Sequence, residues 1–294
     1  MSKQKHTQPR PKTLYRVKNW SEYDKALVQR GSITFWLSAD FEKTWRYVGE
    51  KQRGSQFDYS AQAILVTLTV KEVFHLTNRG VEGFMRSIFQ LMRIHLSVPD
   101  HSTLSKRGKG LKVNLPKRPA QRLNIVMDST GLKIYGEGEW KVRMHGVSKR
   151  RTWRKLHVAA NPEDGEIQAV LLTENSVSDD QAVAGLLAQI EPTIRDFAAD
   201  GAYDKRKVYN SLNTHSPDVT ILIPPRKNAR TAWKDDSGYH VRSLAETLMF
   251  RLKTIFGDGL SARLMATQTT QALIRCAALN RMTHLGMPQS YKVA

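Results

Sequence analysis

The stretch RLNIVMD, residues 122–128, decides how this chain is read. Leu123, Ile125, Val126 and Met127 form a short apolar run, the pattern of a buried strand, and the run closes on Asp128. FAAD, residues 197–200, is a second such run and closes on Asp200. Between them KLHVAA (155–160), the turn NPEDG and EIQAVLLT (166–173) read as a β-hairpin. SDDQAVAGLLAQI (178–190) has helical spacing with Asp179 and Asp180 near its start. KVYNSLN (207–213) reads as a helix, and VTILIPP (219–225) as a strand closed by two prolines. Strand, hairpin, helix, strand, helix, strand and helix pack most economically as an α/β fold, a mixed sheet with its helices on the faces. In open α/β sheets ligands sit at the carboxyl edge of the strands, the edge at which both acids fall.

The last helix of that series is YHVRSLAETLMFRLK, residues 239–253. Leu244, Leu248, Leu252 and Ile255 recur at three- and four-residue steps and predict its buried side, with Ser237 as a cap. Tyr239, Arg242, Glu246 and Lys253 fall on a separate stripe roughly 60° wide. Taken alone, Arg242 and Glu246 read as a surface i,i+4 pair, and Asp128 and Asp200 as turn caps. Taken together, two strand-end aspartates and a helix glutamate are hard oxygen donors suited to Mg²⁺, which takes few protein carboxylates and leaves room for phosphate oxygens. A pair of such ions supports phosphodiester cleavage. Arg242 and Lys253 can then pair with phosphates, and Tyr239 can stack or hydrogen-bond beside them. An aspartic-protease reading of Asp128-Ser129-Thr130-Gly131 fails: the turn occurs once and carries an extra residue.

Composition agrees. Forty-six Lys and Arg against 27 Asp and Glu leave a net charge of +19, which calls for a polyanionic partner, DNA first among them. The 40% hydrophobic content supports a real core. No apolar run approaches the ~20 residues that span a bilayer, and no signal peptide is evident, so a cytoplasmic, nucleoid-associated protein without membrane partners is expected. The single cysteine, Cys276, excludes an internal disulfide and a cysteine-based zinc cluster, and reads as a small buried residue.

Four segments are expected. Residues 1–19 hold six Lys or Arg and no acid, a flexible basic arm. Residues 20–115 read as helical (22–29, 61–75 and 81–94); a break at Val98-Pro99 and a short basic helix carrying Lys106 and Arg107 give a helix-turn-helix outline for DNA binding. Residues 116–270 hold the catalytic sheet, and 271–294 a C-terminal helix and tail. WKVRMHGVSKRRTWRK (140–155) interleaves Lys149, Arg150, Arg151 and Arg154 with Trp153, cations for phosphate and an aromatic for stacking on DNA. His145 and His157 are conceivable ligands, but His157 lies mid-strand and reads as packed core. Asp204 reads as a cap to the next helix and is left out of the site.

The spacing YxxRxxxExxxxxxK, carried by Tyr239, Arg242, Glu246 and Lys253, resembles the signature of DDE transposases of bacterial insertion sequences. MDSTGLKIYGEGEW, KRRTWRKLHVA, ADGAYDKRKVY, RGSITFW and VPDHSTLSKR are similar to the IS-five family in particular, and the likeness runs from Trp20 to Arg263. The resemblance implies an RNase H-like catalytic domain in which Asp128, Asp200 and Glu246 bind two Mg²⁺ ions, with Mn²⁺ as the other candidate. It implies a helical region before it that recognises terminal inverted repeats. Cleavage of double-stranded DNA would free 3′-OH ends that attack target DNA, with the chain acting as a homo-oligomer, a dimer, on the DNA. A nuclease that cuts without joining, and a regulator that binds DNA without catalysis, are the alternatives.

Overall fold

The computed structural model describes residues 14–38, 40–50, 57–134, 153–224 and 239–293; the side chains of Tyr239 and His240 lie outside that description, as do Lys149, Arg150, Arg151 and His145. The sheet is built from β2 (Arg122–Ile134), β3 (Trp153–Asn161), β4 (Glu166–Glu174), β5 (Thr193–Ala198) and β6 (Thr220–Leu222), in the order β4-β3-β2-β5-β6. β2, β3 and β4 are antiparallel, whereas β5 and β6 run parallel to β2. A two-residue strand, β7 (Gly259–Leu260), pairs with the far end of β2. The mixed α/β expectation therefore holds.

β2 continues six residues beyond the predicted end at Asp128, because Asp128 to Lys133 pair with Val158 to Trp153 of β3. Its alternation assigns each side chain to a face. Leu123, Ile125 and Met127 join Phe197 and Ala199 in a core covered by α7 (Asp179–Leu187) and α8 (Arg206–His215). Val126 and Leu132 point to the other side, beneath α9 (Ser243–Phe256) and α10 (Met265–Leu285). Asp128 shares the register of Val126 and Leu132, so it lies on the α9 face. Along α9 the buried residues are Ala245, Leu248, Met249, Leu252 and Phe256, while Leu244 is 42% exposed. The apolar stripe is thus rotated from the predicted one. The residue before the helix is Arg242, without a side-chain cap, and Ser237 lies outside the described residues.

The helical region precedes the sheet as α1 (Trp20–Arg30), α2 (Ile33–Trp36), α3 (Phe41–Thr44), α4 (Ala61–Val73), α5 (Asn78–Leu91) and α6 (His101–Arg107). Ser60, Thr77 and Asp100 cap α4, α5 and α6 through their side chains. Nine residues separate α5 from α6, more than the three or four of a tight helix-turn-helix. Nor does the hydrophobic core break near residue 116. Trp36, Trp45, Ile64 and Met85 of the helical region belong to one buried cluster with Val126, Leu156, Leu248 and Leu279.

α10 is the pillar of that shared core. The sequence places a boundary at 270/271, but the helix runs unbroken through it and is buried on nearly every side. Arg275 Nε donates to Glu72 of α4 at 2.7 Å, Arg275 Nη1 donates to Gly259 O at 2.9 Å, and Gln271 Nε2 reaches both Glu72 oxygens at 3.0 Å. Burial alone would raise the Glu72 carboxyl, but Lys71 and Arg275 outweigh it and hold it below its ordinary value. Asn280 takes the place of a strand neighbour, accepting from Ile167 N and donating to Ile167 O, both at 2.8 Å, where the β3–β4 ladder shifts register. Cys276 is fully buried and its thiol is pushed up to about 12, a packed residue as expected. At the ends of the chain, β1 (Leu14–Val17) pairs with β8 (Ser290–Val293), so part of the segment read as an arm is a strand.

Candidate active site

Three elements carry the acids: β2, the turn that follows β5, and α9. β2 and β5 are parallel neighbours with Val126 opposite Ala198, so Asp128 and Asp200 each stand two residues past the same rung. Asp128 is mid-strand with respect to β3 but lies beyond the end of β5, which is why the edge is open there. Asp200 follows β5 and caps the 3₁₀ turn Gly201–Tyr203, its Oδ1 accepting from Ala202 N at 2.9 Å. Asp128 Oδ1 accepts from Ser129 N at 2.8 Å. Backbone N–H groups thus fix one oxygen of each aspartate. The simpler reading of Asp200 as a turn cap is correct as geometry and does not compete with a site, because capping engages one oxygen only.

Glu246 comes from the first turn of α9 and is exposed, beside the helix's buried stripe. Arg242 stands between the acids: Nη2 donates to Glu246 Oε1, and Nη1 lies 3.9 Å from Asp128 Oδ2. The Asp128 carboxyl is raised above its ordinary value, first by burial. Ser129 N–H and Arg242 pull it down, and the charges of Asp200 and Glu246 push it up again. Asp128 therefore feels both other acids, although they are 72 and 118 residues away along the chain. A partly buried carboxylate facing two more is a donor set that needs a cation. Here a guanidinium supplies it. Among the described residues no three His, Cys, Asp or Glu side chains are close enough to hold a metal ion as they stand.

The other expected contacts divide. Lys106 is exposed at the end of α6. Arg107, beside it, is engaged inside the protein: Nη1 donates to Tyr59 O at 3.0 Å and the guanidinium lies 3.9 Å from the Phe57 ring centre. Arg154 is likewise held, with Nε donating to Gln268 Oε1 at 2.9 Å. The Trp153 ring lies across Gly131 of β2, where an added Cβ would stand 3.4 Å away, so its indole is half-buried beside the acid-bearing strand. Lys253 is two turns along α9 from Glu246, roughly 10 Å at 1.5 Å per residue. His157 is wholly buried, as expected, with Nε2 2.8 Å from Thr173 Oγ1. Asp204 accepts from Tyr209 OH at 3.2 Å and does not cap the next helix, whose N-cap is Lys205.

Sequence reasoning missed the polar layer beneath this edge. Lys155 Nζ lies 3.2 Å and His157 Nδ1 3.5 Å from Asp179 Oδ1, and Lys207 Nζ is 2.5 Å from Asp180 Oδ2. Tyr203, three residues after Asp200, is 1% exposed. The available signal was the pair Asp179-Asp180 at the start of a helix feeding the same edge.

Residues 119–281, more than half of the chain, match the family described as Transposase DDE domain, and residues 28–137 match a second model of the same description. The chain belongs to the transposase DDE-domain family, a class that acts in DNA transposition and recombination. Among solved structures it is similar to the piggyBac transposase in a synaptic complex with hairpin DNA, at 10% identity and a TM-score of 0.41, over 90% of this chain and 77% of that one. A pre-cleavage Mos1 transpososome matches at 11% identity and a TM-score of 0.23, over 82% and 83%. The family assignment rests on the sequence match. None of the described helices is long and apolar enough to cross a membrane.

Proposed function

We propose that this chain is an insertion-sequence transposase of the IS-five type, with an RNase H-like catalytic sheet in which Asp128, Asp200 and Glu246 form the acidic site. The observation that carries the reading is the placing of Asp128 and Asp200 two residues past one rung of neighbouring strands, with Arg242 set against both Asp128 and Glu246. Asp128 of β2, Asp200 after β5 and Glu246 of α9, with Arg242 set against Asp128 and Glu246, suit a hard divalent ion, Mg²⁺ or Mn²⁺. Such ions, two in this reading, supply Lewis acidity and make the attacking oxygen a better nucleophile.

The protein's own groups do the rest. Asp128, Asp200 and Glu246 would hold the ions. Arg242 withdraws from between Asp128 and Glu246 and turns to a phosphate, a bidentate acceptor its guanidinium matches well. Lys253, Lys106 and Trp153 line the DNA, joined by Tyr239 and by Lys149, Arg150 and Arg151; Arg107 and Arg154 shape the surface from inside. In the first step water adds to phosphorus, the bond to the 3′ oxygen breaks, and that oxygen leaves as a 3′-OH. In the second, this 3′-OH attacks a target phosphate and loses its proton, and the target's own 3′ oxygen departs protonated. The helical region reads the terminal inverted repeats, and a dimer pairs the two ends.

Incubating the full chain with Mg²⁺, a labelled duplex ending in the element's terminal repeat and a plasmid target tests the reading. Joined product is expected, and it should disappear when the 3′ end is dideoxy-blocked. Cut ends without joining would make the protein a nuclease; neither product, with repeat binding intact, would make it a regulator.

A further inference from the structure

A cavity of about 760 Å³ opens between the helical region and the segment that joins β7 to α10, and the chemistry proposed above makes no use of it. Its size falls in the range of sites for small organic ligands. Leu68, Leu76 and Leu104 from the helical region and Ile274 from α10 give it apolar walls. Its charged residues are Lys71, Arg263 and Arg275 against the single carboxylate of Glu72, a surplus of two positive charges among the described residues.

Glu72 does not answer that surplus. Its oxygens already receive Lys71 Nζ at 2.8 Å, Arg275 Nε at 2.7 Å and Gln271 Nε2 at 3.0 Å. Arg275 Nη1 goes to Gly259 O, and its Nη2 has no partner among the described residues. Arg263 is exposed, in no ion pair among the described residues. His75, also lining the cavity, has φ 54, the left-handed region that glycine enters at least cost. An imidazole kept there adds a hydrogen-bonding ring to the cavity at a cost in backbone strain.

We infer that this cavity is a nucleotide site: Lys71, Arg263 and Arg275 take the phosphate, and the three leucines and Ile274 take the base. A bare phosphate would answer the charge and leave the apolar walls wet, whereas a nucleotide answers both. The site is not where the acids act. Gly259, at its edge, pairs with Lys133 of β2, five residues past Asp128 and so roughly 17 Å from it at about 3.3 Å per residue. A free nucleotide and a nucleotide of bound DNA offer the same chemistry, and the test separates them.

The test is a calorimetric titration of the full chain with deoxyadenosine monophosphate, and separately with deoxyadenosine, without divalent ions, so its outcome is independent of the acidic-site reading. The monophosphate should saturate, and the nucleoside should bind about tenfold more weakly or worse. Arg263→Ala should weaken the monophosphate about tenfold and leave the nucleoside within about twofold. Ser105 lines the cavity from the exposed side of α6, so Ser105→Trp should fill it and remove both. Both variants should melt within about 2 °C of the parent, since neither side chain is buried. A terminal-repeat duplex that displaces the monophosphate identifies DNA as the source of the nucleotide; undiminished binding on the DNA-loaded chain identifies the free nucleotide. No saturation by the monophosphate, or equal saturation of the parent and both variants, overturns the inference.

Discussion

Asp128→Asn should reduce cleavage of a terminal-repeat duplex by at least about 10³-fold, more than the 10–100-fold typical of losing a second-layer contact, while repeat binding stays within about twofold. The amide keeps the volume of the carboxylate and can still accept from Ser129 N, so the strand edge is preserved. It removes one of the three negative charges that would hold a divalent ion. Lost activity through unfolding can be checked from the sign of the Asp128 shift. Its folded-state value is raised, so the stability linked to its protonation is present below the unfolded value and is lost as pH rises through the folded one. At neutral pH the ionised carboxylate is therefore a cost to the metal-free fold. The Asn variant should melt no lower than the parent at pH 7, and any advantage should vanish below the ordinary carboxylate value of about 3.9. A less stable variant at neutral pH would mean that Asp128 pairs with Arg242 for structural reasons.

Repeat binding should weaken by about 10³- to 10⁵-fold between 50 and 200 mM salt, the response of a protein that neutralises six to ten phosphates. The net charge of +19 motivates the estimate. Lys106→Ala should lower the slope of log affinity against log salt by about one and weaken binding to all sequences alike, because the side chain is exposed. Arg107→Ala should act differently: its guanidinium is spent on Tyr59 O and the Phe57 ring, so stability falls instead of the salt slope. A flat salt response would mean that the positive charge serves something other than phosphate.

Much of the sheet was legible because its strands are short apolar runs between strong turn signals, and the hairpin at NPEDG is local. The acids were legible because each interrupts or follows such a run. What sequence could not show follows from nonlocal packing. β2 runs past Asp128 because β3 continues to pair with it, and no residue near 128 records that. The central place of the C-terminal helix depends on Gln271, Arg275 and Asn280, polar residues that find their partners in Glu72, Gly259 and Ile167, far away along the chain. Leu244 fits the helical spacing yet faces outward, because the helix rotates to bury Ala245 and Met249 instead. The Arg242–Glu246 spacing alone gives an ordinary surface pair, and it is the approach of Asp128 from β2 that makes it part of the candidate site.

The central claim is that these three carboxylates share divalent ions. It is tested most directly by a crystal structure of the protein grown with Mn²⁺, with diffraction collected at the manganese absorption edge. The account predicts anomalous peaks at the β2–β5 edge within about 2.0–2.3 Å of oxygens from Asp128, Asp200 and Glu246, with Arg242 turned away. Carboxylates still bridged by Arg242 at saturating Mn²⁺, with no peak among them, would contradict it.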